Sequence, residues 1–304
     1  MNTELLENYK TVRENGIGFY QSKHGLIEVS GREAVQFLNG LITNDAAKLE
    51  ETSQMSAAFP NAQGRLLAVV KVMRRGDKFL FETDEATHGK VFQNLFRFTF
   101  AGDFYVEDLS ENYRHFDVQN SKFKIQSSDI IIFQSKFGES HFVPTNSAET
   151  FVNELANQKA VEIADELYEV LRVENGIPKY GVDMDETTIV PELGLAGLIS
   201  YNKGCYIGQE IIARIHFRGH IAKQLTGLIF EDFSEPSAAA DGLKNAEIKS
   251  LDGKNAGKIT SAAFSPKLEK IIALAYVRYD YLAEGTKLKV NDFTAKVKRL
   301  PFID

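Results

Sequence analysis

The last third of the chain consists of short alternating or β-branched segments that are separated by turn sequences. Asp252-Gly253 and Glu284-Gly285 are typical of such turns, and almost no helical periodicity lies between them. Strands this short bury their apolar faces in a closed or layered sheet, so the pattern predicts a small barrel or sandwich over residues 222–304. The six predicted strands are Leu225–Phe230, Glu247–Ser250, Lys258–Phe264, Ile271–Tyr276, Lys287–Val290 and Ala295–Lys298.

The preceding residues, 1–221, combine helical and strand patterns without regular βαβ alternation, which predicts a mixed α+β region of two subdomains. Ser30 and Glu33 have the spacing of a capping box, and Asp84 is placed to cap another helix. The apolar run Leu66–Val70 predicts a strand that is buried on both faces. Further helices are predicted at Ala148–Asn157 and Asp165–Glu174, and residues 104–144 are predicted to be rich in strands.

Composition and charge exclude several classes of protein. The 304 residues include 35 basic and 42 acidic side chains, a net charge of −7, which argues against direct nucleic-acid or membrane binding except at a local patch. Cys205 is the single cysteine, which excludes an internal disulfide, a cysteine-rich zinc site and a self-contained iron–sulfur cluster. The acidic start does not resemble a signal peptide, and no apolar run reaches ~18 residues. We therefore expect a cytoplasmic protein outside the membrane.

Cys205 lies in the segment Lys203–Glu210, which has the densest set of chemically useful side chains in the sequence. Two glycines predict a tight loop, and good helix formers follow from Gln209. A position just before a helix N-terminus, two residues from Lys203, favours the thiolate form and makes the cysteine a candidate for reaction or ligation. The alternative is a buried structural cysteine, since cysteine is among the residues most often buried.

The residues that follow form the most basic stretch of this acidic chain. Between positions 203 and 223 the formal charge is +3, with Glu210 as the single acidic residue. The basic residues are Lys203, Arg214, Arg218 and Lys223. Such a patch can hold a carboxylated or phosphorylated ligand or RNA phosphates, and Tyr201, Tyr206 and Phe217 offer rings for stacking. The alternative is an ordinary solvated face.

Other catalytic and metal-binding patterns are absent from the sequence or incomplete. It contains no glycine-rich phosphate loop and no Gly-x-Ser-x-Gly motif. His216 and His220 have the i, i+4 spacing of zinc ligands, but Gly219 interrupts the helix and no glutamate follows the first histidine. We therefore predict no metal site. A nucleophilic pair of Cys205 with one of these histidines remains open.

The octapeptide Lys203–Glu210 resembles the K-G-C-[FY]-x-G-Q-E signature of the YgfZ folate-binding family, whose relatives include the aminomethyltransferase (T-protein) of glycine cleavage. Phe37–Asp45 is similar to the F-L-x-G-x-x-T-x-D segment of this family, and Leu171–Pro178 to its L-R-x-E-x-G-x-P segment. Pro191-Glu192 and Gly194-Leu195 follow at about the expected distance. The resemblance extends over most of the chain.

The resemblance implies a GcvT-like cloverleaf of mixed α+β domains that is closed by a C-terminal β-barrel. It also implies a tetrahydrofolate derivative in the central hole and a role in iron–sulfur enzyme assembly or repair and, through it, in tRNA methylthiolation. Iron–sulfur client or assembly proteins are then the expected partners. Cys205 and Lys203 become the candidate catalytic residues, acting on or near folate or sulfur. The candidate folate ligands are His24, Glu174, Tyr180, Gly204, Tyr206, Gln209, Glu210, Arg214 and Arg218.

Some of these ligands have a specific expected role. Glu174 is expected to hydrogen-bond the pterin nitrogens, and Arg214, Arg218 and Lys223 are expected to bind the glutamate tail of folate. His24 precedes a predicted strand and is a further candidate for ligand contact. Its alternative is an ordinary exposed loop histidine.

One departure from the T-protein pattern bears on the reaction. The T-protein segment that resembles Asn61–Gly64 continues through two aspartates, where this chain has Ala68 and Val69. Loss of a carboxylate that performs acid–base work lowers a rate by about 10²- to 10⁴-fold. The resemblance therefore implies a binding or hand-off protein. The alternatives are a folate-dependent aminomethyltransferase of the same fold and an RNA-modifying enzyme that uses the basic patch.

Overall fold

The structure, a computed structural model, describes residues 3–14, 16–119, 123, 127, 129–231, 240 and 242–303. The α-helices are α1 (Thr3–Arg13), α2 (Ala34–Leu41), α3 (Glu85–Phe96), α4 (Ala148–Asn157), α5 (Asp165–Glu174) and α6 (Gln209–Arg218). Short 3-10 helices cover Ala46–Lys48, Thr99–Ala101, Ser110–Asn112, Thr145–Ser147, Val190–Leu193 and Tyr279–Tyr281. In the part of the chain that is described, no helix combines the length and the apolar character needed to cross a bilayer.

The first ten strands build two five-stranded sheets. These strands are β1 (Gly18–Ser22), β2 (Gly25–Ser30), β3 (Gln54–Pro60), β4 (Leu66–Arg75), β5 (Lys78–Thr83), β6 (Tyr105–Asp108), β7 (Tyr113–Gln119), β8 (Ile131–Gln134), β9 (Glu139–Pro144) and β10 (Val161–Glu162). One sheet has the order β3-β4-β5-β2-β6 and the other β10-β1-β7-β9-β8, with β1 and β10 parallel. The chain crosses from the second sheet to the first between β1 and β2, at His24.

The last six strands close into a barrel. They are β11 (Lys223–Phe230), β12 (Glu247–Lys249), β13 (Asn255–Ser265), β14 (Lys270–Arg278), β15 (Lys287–Val290) and β16 (Phe293–Lys298). The order is β11-β14-β13-β12-β15-β16, and closure comes from β11, where Leu228 lies opposite both Ala273 and Val297. These three side chains belong to the barrel core. The predicted α+β class and C-terminal barrel are confirmed.

Helix boundaries follow the sequence signals in the first region, with one exception. Helices α4 and α5 have the predicted limits, and the Asp84 carboxylate caps α3 by accepting a hydrogen bond from the backbone N–H of Ala86 at 2.8 Å. The capping box predicted at Ser30 is wrong, because Ser30 ends strand β2 and pairs with Tyr105. Helix α2 begins at Ala34, directly after Glu33, and the Glu33 carboxylate accepts a hydrogen bond from the backbone N–H of Asp103.

The prediction that Leu66–Val70 is buried on both faces holds only in part. Leu66, Ala68 and Val70 are buried, whereas Leu67 and Val69 are half-buried. Both faces of β4 nevertheless contact apolar clusters, since Ala68 lies in the core of the first sheet and its neighbour Val69 packs against a second cluster. Strand β4 therefore separates the sheet core from the cluster that borders the candidate site.

A buried ion pair connects the first region to the barrel. The Arg172 guanidinium, on α5, donates to the Asp183 carboxylate at 2.8 Å and to the Ser261 hydroxyl of β13 at 2.8 Å. Asp183 also accepts from Ser261 at 2.7 Å and from the backbone N–H of Lys179 at 3.0 Å. These bonds fix the segment after α5, which carries Tyr180, relative to the barrel wall.

Candidate functional site

The loop that contains the single cysteine is held against the end of α2 by hydrogen bonds. The Lys203 ammonium donates to the carbonyl oxygens of Asn39 at 2.7 Å and Ile42 at 2.8 Å. The backbone N–H of Ile207 donates to a third carbonyl of the same turn, that of Gly40, at 3.1 Å. The last carbonyls of a helix lack intrahelical partners, so these bonds satisfy them and fix the backbone on both sides of the cysteine.

Lys203 is half-buried, and its charge has little solvent around it. Burial lowers the pKa of the Lys203 ammonium to about 8, in spite of Asp45, which acts in the opposite direction. The ammonium also lies 4.6 Å from the ring centroid of Tyr206, within the range of a cation–π contact. The side chain is thereby engaged in holding the loop, which makes Lys203 a positioning residue for its neighbours.

Gly208 allows the start of α6 to approach the turn between β3 and β4. Its φ of +79° lies in the left-handed region, and a Cβ at this position would lie 2.3 Å from the carbonyl oxygen of Asn61. The turn in question, Asn61–Gly64, is closed by a hydrogen bond from the Gly64 N–H to the Asn61 carbonyl at 2.9 Å. The second glycine of the octapeptide is thus required by backbone packing.

An apolar cluster lies beneath the cysteine loop, and we call it the central cluster. Its buried members are Ala58, Leu66, Tyr180, Met184, Val190, Leu193, Leu198, Tyr206 and Ile212. Val69 packs against it, whereas Ala68 belongs to the core of the first sheet. Of the two positions where the T-protein pattern has aspartate, position 69 therefore faces the candidate site with an aliphatic side chain.

Tyr180 and Tyr206 bring aromatic rings into this cluster, with exposed fractions of 9% and 8%. The Lys90 ammonium lies 3.5 Å from the Tyr180 hydroxyl and 5.2 Å from its ring centroid. Burial raises the pKa of the Tyr206 hydroxyl to about 12, and Tyr201 acts in the same direction. Both phenols therefore stay protonated at neutral pH and can donate hydrogen bonds.

Cys205 is exposed, so the alternative of a buried structural cysteine is wrong. Gly204 is exposed beside it, and a Cβ on Gly204 would have open space within 4 Å. Gln209 and Glu210 form the first turn of α6, where Gln209 is half-buried and Glu210 is exposed. The thiol is thus presented to solvent on a loop whose backbone is fixed on both sides.

Glu174 lies apart from the cysteine loop, with a side chain that is fully buried. Its carboxylate accepts hydrogen bonds from the Tyr9 hydroxyl at 2.7 Å and the Ser265 hydroxyl at 2.5 Å, and it pairs with the Arg13 guanidinium. These groups come from α1 and β13, so Glu174 ties the N-terminal helix to the barrel. A pterin contact would require part of this network to open.

His24 also lies apart from the cysteine loop, and it is not the exposed loop histidine of the alternative interpretation. Its side chain is 23% exposed, and its Nδ1 lies 3.0 Å from Oε1 of Glu82. The ring stacks on His115 with centroids 4.2 Å apart. Burial acts to lower the pKa of His24, but the Glu82 carboxylate outweighs it and the pKa is raised.

The basic stretch after the octapeptide forms an exposed surface. Arg214 and Arg218 are exposed on α6. His216 stacks on Tyr201 with centroids 3.6 Å apart, whereas His220 packs on Tyr279 at 4.4 Å. The two histidines of the i, i+4 pair therefore have different neighbours, and Phe217 between them is 66% exposed.

Lys223 lies in an open recess of about 420 Å³ on the barrel. The recess is lined by Ala222, Lys223, Asn255, Gly257, Lys258, Tyr276 and Arg278. Its basic residues come from adjacent strands, with Lys223 opposite Arg278 and Lys258 opposite Tyr276. The Lys223 ammonium lies 4.8 Å from the Tyr276 ring centroid. This arrangement is suited to carboxylate or phosphate groups.

The structure brings together some of the predicted site residues and separates others. Lys203, Tyr206 and Tyr180 meet at the central cluster, with Cys205 at its exposed edge. Other predicted residues lie elsewhere: Arg214 and Arg218 on the outer face of α6, Glu174 under α1, and His24 between the two sheets.

Four residues that contribute to these contacts were not predicted from the sequence, because their contributions depend on contacts between distant positions. They are Asn39, Asp183, Lys258 and Arg278.

Two domain families match this chain. The GCVT N-terminal domain matches residues 1–122, and the glycine cleavage T-protein C-terminal barrel domain matches residues 223–304. The barrel match begins where strand β11 begins. The pattern of matches therefore follows the architecture described above.

Individual relatives are similar to this chain over most of its length. The chain is 24% identical, over 91% of its length and 77% of the relative's, to the iron-sulfur cluster assembly factor IBA57 homolog, mitochondrial, of Mycosarcoma maydis. It is 27% identical, over 99% of its length and 92% of the relative's, to the aminomethyltransferase of Halothermothrix orenii. The crystal structure of glycine cleavage system aminomethyltransferase T from Bartonella henselae superposes with a TM-score of 0.86 at 20% identity, covering 98% of this chain and 89% of that one. At that identity the superposition establishes the fold.

Proposed function

We propose that this chain, a GcvT-like protein by its N-terminal and C-terminal barrel domains, is a tetrahydrofolate-binding accessory protein for iron–sulfur enzyme assembly or repair. The similarity to an iron-sulfur cluster assembly factor over 91% of the chain supports the role in assembly. Effects on tRNA methylthiolation would follow through iron–sulfur enzymes that this protein serves. The reducing cytoplasm suits a protein with one exposed free thiol.

The observation that carries the proposal is the exposure of Cys205 on a loop that is fixed on both sides. A reactive or ligating cysteine must reach its partner, and its backbone must hold it in one place. The bonds of Lys203 and Ile207 to the end of α2 supply the second condition. Cys205 then acts as one thiolate ligand of an iron centre, with the remaining ligands supplied by a partner protein.

The same region offers complementary groups for a folate. A pterin ring is flat and polar at its edge, so it would pack beside the aromatic rings of Tyr180 and Tyr206 at the central cluster. The glutamate tail carries carboxylates, which would pair with the basic side chains of the barrel recess, Lys223, Lys258 and Arg278. The exposed positions of Arg214 and Arg218 make them candidates for a longer tail.

Replacement of Cys205 tests the thiol role directly. We expect Cys205→Ser and Cys205→Ala to fold and to bind tetrahydrofolate as the wild type does, since the side chain is exposed. Both variants should fail to restore iron–sulfur enzyme activity in a strain that lacks this gene. Asn202→Ala, an exposed position on the same loop, is the matched control and should restore activity fully. Full rescue by Cys205→Ala would refute the thiol role.

Calorimetric titration tests the folate site separately. We expect tetrahydrofolate to bind the wild-type chain, and replacement of Lys223 and Arg278 by Met to weaken folates with glutamate tails more than the bare pterin. Absence of heat at millimolar tetrahydrofolate would refute folate binding, whatever the outcome for Cys205. If the substitutions weakened the binding of both ligands equally, the glutamate tail would not bind in the recess.

The second candidate function is aminomethyl transfer, favoured by 27% identity to an aminomethyltransferase over nearly the whole chain. Against it, Val69 presents an aliphatic side chain to the central cluster where the T-protein pattern has a carboxylate. A turnover assay with tetrahydrofolate and an aminomethyl donor distinguishes the two functions. We expect no turnover above background, and turnover at an enzymatic rate would favour the transferase.

A further inference from the structure

Three potential metal ligands converge where the two N-terminal sheets meet. His24 lies between β1 and β2, Glu82 lies on β5 of one sheet, and His115 lies on β7 of the other. Their ligand atoms all lie within 4.8 Å of one another. This group is separate from the cysteine loop and from the barrel recess, and nothing in the proposed function uses it.

His115 has a buried nitrogen that the protein leaves unsatisfied. The side chain is 1% exposed, and its Nε2 has no hydrogen-bond partner among the described residues. The nearest carboxylate oxygens are Oε1 of Glu82 at 3.9 Å and Oδ1 of Asp117 at 4.0 Å. A buried polar atom without a partner destabilises the fold, and a cation bound next to Nε2 would supply the missing interaction.

The other nitrogen of His115 is held in the way that metal-ligating histidines are held. Its Nδ1 lies 2.7 Å from the Ser22 hydroxyl oxygen, which can accept the Nδ1–H. In that tautomer the Nε2 lone pair is directed towards Glu82 and Asp117. Metal-binding histidines commonly donate their second N–H to such an outer acceptor, which fixes both the tautomer and the ring orientation.

We propose that His24, Glu82 and His115 form a binding site for a divalent first-row transition metal ion. Two imidazoles and one carboxylate are a common ligand set for iron(II) and zinc(II). Asp117 provides a second carboxyl group next to the site, with its Oδ1 4.0 Å from Nε2 of His115. The ligands come from both sheets, and a bound ion would therefore also connect the two halves of the N-terminal region.

Lys71 competes with a metal ion for the Glu82 carboxylate. Its ammonium lies 2.9 and 3.0 Å from the two carboxylate oxygens of Glu82 and thus neutralises the group that would bind the metal. The Lys71 side chain is 24% exposed, so its charged end can withdraw to solvent when a metal ion arrives. The His24 ring must also move off its stack on His115, because a metal ion lies in the plane of each imidazole that binds it.

Titration of the full-length chain with Co²⁺, which has visible d–d absorption when ligated, tests the proposal. We expect one equivalent to bind the wild type, and His115→Gln to weaken binding by more than about 100-fold because a direct ligand is lost. Lys71→Met should strengthen binding by roughly 10-fold, since the competing positive charge is removed. The matched control is the double variant His216→Gln/His220→Gln, which removes the exposed i, i+4 pair and should bind as the wild type does.

The outcomes distinguish metal binding at this site from adventitious binding, and they do not depend on the proposed function. Circular dichroism and thermal unfolding establish whether each variant is folded. If His115→Gln does not fold, the Co²⁺ affinity of Lys71→Met alone tests the proposal. The proposal is overturned if the wild type gives no d–d bands at millimolar Co²⁺, if Lys71→Met binds no more tightly, or if the surface double variant is the one that loses binding. Co²⁺ held by two imidazoles and a carboxylate gives no thiolate-to-cobalt charge-transfer band, so the spectrum distinguishes this site from Cys205 and a failure of the thiol hypothesis leaves the result intact.

Discussion

The ammonium nitrogen of Lys203 lies 2.7 Å from the carbonyl oxygen of Asn39, in the last turn of α2. In the sequence, a lysine two residues before a cysteine suggests electrostatic promotion of the thiolate. In the structure, the same lysine satisfies carbonyls at a helix end and stacks on Tyr206. Its contribution to the cysteine is therefore the position of the loop.

Replacement of Lys203 should destabilise the protein and release the loop. We expect Lys203→Met to lower the free energy of unfolding by about 2 kcal/mol, because two partly buried charge-assisted hydrogen bonds to carbonyls are lost. Urea denaturation measures this change, and hydrogen exchange at the Ile207 amide reports the loop directly. Lys48→Met, which removes a lysine whose side chain is 64% exposed, should change stability by less than about 0.5 kcal/mol. Equal effects of the two substitutions would contradict the positioning role.

The depressed pKa of Lys203 should appear in the pH dependence of stability. With a pKa of about 8 in the folded state and the ordinary value of 10.5 in the unfolded state, the unfolded chain binds more protons at this site between those pH values. Stability contributed by Lys203 therefore increases as pH rises from about 8 to 10.5, by roughly 1 to 3 kcal/mol in total, because solvent screening of this half-buried group reduces the ~3.4 kcal/mol of the full shift. The measurement is the difference in unfolding free energy between the wild type and Lys203→Met at several pH values. A difference that stays constant or falls across this window would contradict the shift.

Much of the architecture could be predicted from local patterns. The barrel follows from six short segments with turns between them, and the limits of α4 and α5 follow from apolar spacing and end signals. The capping box at Ser30 failed because strand pairing with Tyr105 uses this residue, and such pairing between distant segments leaves no local signal. Local chemistry thus predicts most of the elements, whereas the end of β2 is decided by pairing with a distant strand.

The candidate site was predicted less completely than the fold. The octapeptide located the cysteine loop, because a short motif keeps its residues together in space. Glu174 was assigned to a ligand, but its carboxylate is engaged with Tyr9 and Ser265 from remote parts of the chain. The cluster of His24 with His115 also joins distant positions, so no spacing rule could have identified it.

The two glycines of the octapeptide should respond differently to substitution. Gly208→Ala requires an L residue at a φ of +79° and places a Cβ 2.3 Å from the Asn61 carbonyl oxygen, so we expect a loss of about 3 kcal/mol. Gly204→Ala is the matched control, because a Cβ there meets nothing within 4 Å and the change should stay within about 0.5 kcal/mol. Thermal unfolding of both variants provides the comparison. A larger loss for Gly204→Ala would contradict the packing described for α6.

The buried pair of Arg172 and Asp183 should be the most sensitive contact between the first region and the barrel. Arg172→Met leaves the Asp183 carboxylate buried without its ion-pair partner, so we expect a loss of about 3–5 kcal/mol in urea denaturation. Asp183→Asn should have a comparable effect, and the double variant should lose less than the sum of the two, because the charges are removed together. The exposed pair of Lys179 with Glu169 is the control, and Lys179→Met should change stability by less than about 1 kcal/mol. Additive losses in the double variant would mean that the two residues act independently, which would contradict an ion pair that connects α5 to the barrel.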